Sequence, residues 1–260
     1  MALHPRVETI ASLFLAAFVA LPFASSAEDF RIETKIYVGD EPAPVSETST
    51  LFLDGVVYDF LKEPAQTAVF RKPTGGNPGR FILLDRSQQI RTELTTDQLA
   101  GAVDKLRKWA SGQSDPLLKF AANPQFEESF DADSGRLVLA SHIENYRVDT
   151  APADDSAALA EYREFLDWYT RLNTLLHAGP PPEPRLRLNA ALARHNVIPI
   201  AVELTRAGED EPLRAEHEFT WRLSRNDRAQ IDAVRASLAS YDAVSNEKFL
   251  RNAQPQEETK

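Results

Sequence analysis

Cysteine does not occur anywhere in the 260-residue sequence. Its absence excludes disulfides, thiolate zinc sites and a cysteine nucleophile, and it leaves no thiol for a lipid anchor. Positive charge is also in deficit, with a net charge of −10. Nucleic acid requires a basic stripe and anionic lipid surfaces attract Lys and Arg, so neither is expected as a partner. Beyond the N-terminus no run is apolar enough to cross a bilayer, so no integral membrane protein is expected once that segment is removed. Signature motifs are missing too. There is no G-x-S-x-G elbow and no H-E-x-x-H, and GGNPG (75–79) lacks the Lys-Ser/Thr of a phosphate loop and opens no helix. No cofactor is expected.

What is present begins with an address. In MALHPRVETIASLFLAAFVALPFASSAED, Arg6 supplies a positive n-region, and Ile10 to Phe23 forms an apolar core too short to span a bilayer. Ser25-Ser26-Ala27 offers a small-residue cleavage site, against the alternative of a retained anchor. Residues 1–27 therefore read as a secretory signal, and the mature protein as periplasmic or secreted. Without disulfides, such a protein depends on its core, and residues 28–250 are long enough to build a single domain. Residues 251–260 read as a polar, disordered tail.

Phe30, Ile32, Thr34, Ile36 and Val38 alternate with polar residues, which is the period of a half-buried strand. TSTLFLDGVVYDFL (48–61) then places two apolar runs around Asp54-Gly55. That dipeptide favours a type I′ turn, because both central residues need positive φ. The implied register pairs Leu53 with Val56, Leu51 with Tyr58 and Ser49 with Phe60. One face then carries Leu51, Leu53, Val56, Tyr58 and Phe60, and the other Thr48, Thr50, Phe52, Val57 and Asp59.

QTAVFRK (66–72), RFILLD (80–85) and QIRTEL (89–94) read as further strands, the second covered on both faces. A helix starts at Thr95 or Thr96, with Gln98 completing a capping box and Leu99, Val103, Leu106 and Trp109 as its stripe. Asp115-Pro116 begins a short helix. QFEESF and RLVLASHIENYRV pair around residues 131–135, and a long helix covers 154–177 with Leu159, Tyr162, Phe165, Tyr169, Leu172 and Leu176 inward. A second helix occupies roughly 184–195. NVIPIAVELTRA and LRAEHEFTWRL form a last hairpin with Phe219, Trp221 and Leu223 on one face, before a helix capped by Ser224. The order specifies an α+β fold on a mostly antiparallel sheet.

Over residues 30–94, TLFLDGVVYDF followed by QTAVF and RFILLDRSQQIRTEL resembles the periplasmic carriers of outer-membrane lipoproteins and their relatives. The resemblance implies a curved antiparallel sheet, an unclosed half-barrel, with helices packed on its concave face. ALARHNVIPIAVELTRAG is similar to secreted bacterial proteins with the same kind of sheet.

Chemistry-bearing residues are scattered. Of five histidines, His4 falls in the signal, His142 follows Ser141 in a strand, His177 and His195 end helices, and His217 sits in a strand. A zinc site from His142, His195 and His217 needs the fold to gather them; ordinary surface or capping roles are the alternative. Ser141 and His142 point to opposite faces of a strand and form no dyad. Asp131-x-Asp133-x-Gly135 has the start of a calcium loop, but His142 stands where the twelfth ligand should be Glu, so a hairpin turn is the reading.

The functional expectation is an exported, non-catalytic binding protein holding a lipid-like or acyl ligand, or a partner segment, in an apolar groove between sheet and helices. Leu51, Tyr58, Phe60, Phe81 and Trp221 are its expected lining, with the helix over 153–177 as lid. Three alternatives stand beside it. The core is filled, the protein is an interaction or structural module of the cell envelope, or it is a hydrolase with an unrecognised histidine–carboxylate site.

Overall fold

The computed structural model of the chain describes residues 29–63, 65–153 and 155–253. The expected signal, and the expected tail from residue 254 onward, lie outside the described residues.

β1 (Phe30–Val38), β2 (Ser46–Leu53), β3 (Val56–Leu61), β4 (Gln66–Arg71), β5 (Arg80–Asp85) and β6 (Ile90–Thr95) make one antiparallel meander. α1 (Thr96–Ser111) and α2 (Pro116–Ala122) lead to β7 (Glu127–Asp131), β8 (Arg136–Ala140) and β9 (Glu144–Pro152). α3 (Ser156–Leu176) and α4 (Glu183–Arg194) precede β10 (Val197–Arg206) and β11 (Leu213–Thr220). α5 (Arg225–Ser240), the two-residue β12 (Asp242–Ala243) and α6 (Asn246–Ala253) follow. The spatial order is β12-β6-β5-β4-β3-β2-β1-β11-β10-β9-β8-β7, so two runs of strands meet where β1 pairs with β11. β12 joins β6 in parallel, and the other neighbours are antiparallel. The fold is α+β, built on an open, mostly antiparallel sheet.

Local chemistry explains the element boundaries. Asp54 and Gly55 have φ of 53° and 71°, and the hairpin pairs Leu53 with Val56, Leu51 with Tyr58 and Ser49 with Phe60, as the turn dictates. The Thr95 side chain accepts from the Gln98 N–H while the Gln98 side chain accepts from the Thr95 N–H, so α1 starts in a reciprocal cap. Ser224 and Asp227 do the same for α5. The Asp155 carboxylate accepts from the N–H groups of Ala157 and Ala158 at the start of α3.

Cross-strand register builds two apolar faces. On one, Phe30, Phe52, Val57, Phe70, Phe81 and Leu94 form a continuous row across six strands. α3 lies on this row: the Phe165 ring meets Phe52 edge-on at 5.8 Å and lies 6.0 Å from Phe70. The same face continues over β8–β10, where Leu137, Tyr146, Val148 and Val202 pack against Leu188, Ala191 and Leu192 of α4. On the opposite face Leu51, Tyr58, Val69 and Ile82 form a second row, covered by Ile231 and Val234 of α5.

Several expectations are corrected. Helices were expected on one side; α5 packs on the other, because β2–β5 are apolar on both surfaces. RLVLASHIENYRV is two strands. The Ser141 hydroxyl accepts from the N–H groups of Ile143 and Glu144, and the Asn145 side chain accepts from the Ser141 N–H, which closes a turn. Trp109 is 54% exposed, and Ala110 takes the buried place beside Leu99 and Val103. Leu223 parts from Phe219 and Trp221 because the chain leaves β11 at Thr220 and crosses toward α5. Residues expected in the tail extend α6 to Ala253.

Candidate functional site

The C-terminal half of α3 crosses β3, β4 and β5. Tyr169, Leu172, Asn173 and Leu176 recur at intervals of three or four residues and so share one helix face. Between that face and the sheet lies a pocket of about 290 Å³. Leu61, Ala68 and Leu83 contribute from the strands, and Phe249 and Leu250 of α6 wall it on another side. α6 is held there by the edge of the sheet: β12 pairs with β6, and the Thr92 hydroxyl bonds to the Val244 carbonyl and the Asn246 side chain.

The pocket's apolar wall is interrupted by one carboxyl group. Asp59 follows Tyr58 in β3, so its side chain turns toward α3 and away from α5. It is 3% exposed. One oxygen accepts from the Thr50 hydroxyl at 2.6 Å, the other from the Tyr169 hydroxyl at 2.6 Å. Burial pushes the Asp59 carboxyl above the usual carboxylate range, and these two donors pull it back only in part. Burial and the neighbouring Asp59 charge hold the Tyr169 phenol protonated far above its ordinary range. Neither Lys nor Arg lines the pocket among the described residues, whereas Gln66, Asn173 and the exposed His177 bring polar groups to it.

The five residues expected to line a groove do not come together. Leu51, Tyr58 and Phe60 face α5, where Arg235 donates to the Tyr58 hydroxyl at 3.2 Å and Arg86 lies over the Phe60 ring. Phe81 and Trp221 lie on the α3 side, Phe81 fully buried beside Phe70 and Trp221 5.4 Å from Phe30. None of the five borders the pocket. The oilier face of the hairpin is filled by α5, and the mixed face, with Asp59, is the one that opens. The last two turns of α3, the helix expected as lid, line this pocket and not the expected groove.

The histidines are dispersed. His142 is exposed in the β8–β9 turn; His195 stacks on Phe130 at 4.2 Å and bonds Glu128 at 3.0 Å; His217 faces Thr34 across the β1–β11 seam at 2.9 Å. Among the described residues no group of three or more His, Asp or Glu is placed to hold a metal ion. Asp131 accepts from the N–H groups of Asp133 and Ser134, and Gly135 has φ +66°, the geometry of a hairpin turn.

Comparison with known proteins yielded no matching family model and no matching curated sequence.

Proposed function

We propose that the protein is an exported, non-catalytic binding protein that takes a small, single-chain apolar ligand into the pocket beneath α3. One observation carries this reading: a space of about 290 Å³ walled by Leu61, Ala68, Leu83, Leu172 and Phe249, beside a core whose aromatic row is tightly filled. Its size lies at the lower end of the roughly 300–1,000 Å³ typical of small-molecule sites, which suits one short chain and not a bulky multi-chain lipid. The secretory character of the N-terminus and the likeness of residues 30–94 to lipoprotein carriers favour the same role at the cell envelope.

Leu176→Trp tests it, since the larger ring occupies the pocket from a half-buried helix position. Purified wild-type protein should take up a fluorescent short-chain probe saturably and with one-to-one stoichiometry, and the variant should not, while both keep the same circular dichroism spectrum. Equal uptake by the two proteins, or none by the wild type, refutes the proposal.

A further inference from the structure

Among the described residues the Asp59 carboxyl has no counter-ion. It is buried, its two oxygens are aimed by Thr50 and Tyr169, and each accepts one hydrogen bond from a neutral hydroxyl. A carboxylate offers about four lone-pair sites, so roughly two remain open on a group that borders the pocket. Structural buried carboxylates are paired with Arg or Lys, because an isolated charge in an apolar setting is strongly disfavoured. Among the described residues the wall holds no Lys or Arg, although the chain has 29 in all. Leu61, Ala68, Leu83 and Leu172 give the space a largely apolar wall that meets a carboxyl with two hydroxyl donors and no cation beside it among the described residues.

Accepting the binding role proposed above, we infer that the ligand is an amphiphile with a cationic nitrogen, of the alkylammonium class, whose ammonium group supplies the missing partner of Asp59. An ammonium has three donors and a full charge, so it uses the open lone pairs and matches the carboxylate in the same contact. A fatty carboxylate of equal length places like charge against Asp59 and is rejected. A fatty alcohol fits the walls but brings no positive charge to favour the ionised carboxyl. The net charge of −10 also draws cations toward the molecule.

The test is calorimetric titration of the full chain with decylammonium, decanol and decanoate. Wild type should bind decylammonium most tightly and decanoate least. Asp59→Asn, nearly isosteric, should weaken decylammonium roughly ten- to a hundredfold while leaving decanol unchanged, the loss expected of one charge-assisted hydrogen bond. Tyr169→Phe keeps the carboxyl and should retain the ammonium preference, so it serves as the variant if Asp59→Asn does not fold. Leu176→Trp should abolish binding of all three. If the three ligands bind alike and Leu176→Trp blocks them, the pocket stands and the cationic specificity falls. If decylammonium binding survives Leu176→Trp, it is surface adsorption and the inference is overturned. If no ligand binds, the pocket reading fails with it.

Discussion

Protonation of His217 gives a sharp handle on the fold. The ring lies in β11 with Nδ1 2.9 Å from the Thr34 hydroxyl of β1, and its Nε2, shielded from solvent, has no hydrogen-bond partner among the described residues. Burial, and secondarily the positive charge of Arg185 on α4, pushes its pKa from 6.5 to about 3. Because the folded value is the lower one, the unfolded chain binds more protons between these limits. Stability from this residue is therefore complete above pH 6.5 and drains away as the pH falls toward 3. Each unit is worth about 1.4 kcal/mol, so at about pH 4.5 the deficit is some 2–3 kcal/mol. His217→Gln removes the titration and keeps a polar group for Thr34. Urea unfolding of both proteins should be run at about pH 7.5 and 4.5. Acidification weakens both through their carboxylates, but the wild type should lose an additional 2–3 kcal/mol or so relative to the variant. Parallel losses would show that the neutral ring is not enforced by its surroundings.

Phe165→Ala should cost about 3–5 kcal/mol in chemical denaturation, because it empties the meeting point of the Phe52, Phe70 and Phe81 rings under α3; a cost below about 1 kcal/mol would mean α3 does not rest on that row. Gly55→Ala should cost roughly 1–2 kcal/mol through its φ of +71° alone, since an added Cβ meets nothing closer than 3.7 Å. A neutral thermal shift for that variant would argue against the type I′ geometry.

The hairpin was readable because Asp54-Gly55 fixes both turn and register within a few residues. The caps at Thr95 and Ser224 were readable for the same reason, being local hydrogen-bond chemistry. The pocket was not. Period two separates Leu51 and Tyr58 from Phe52 and Asp59, but it does not reveal which set a later helix will seal. That choice is made by α5, more than 160 positions along the chain, and by the Tyr169–Asp59 bond across 110 positions. Asp59 was visible only as the charged member of a mixed face. α6 escaped notice because Asn246–Ala253 is short and mostly polar, and Phe249 becomes buried only once β12 has docked on β6. Ser141 hid the β8–β9 turn, since a serine between apolar residues continues a strand pattern unless its hydroxyl binds backbone.

A sheet that never closes has two borders, and both are hostile to an additional strand. On one side β12 offers only Asp242 and Ala243, too brief a template for another chain to zip onto. On the other, β7 presents Glu127 and Asp131, so a second molecule aligning the same border brings carboxylate against carboxylate. On either side the ribbon thus ends where growth would otherwise begin.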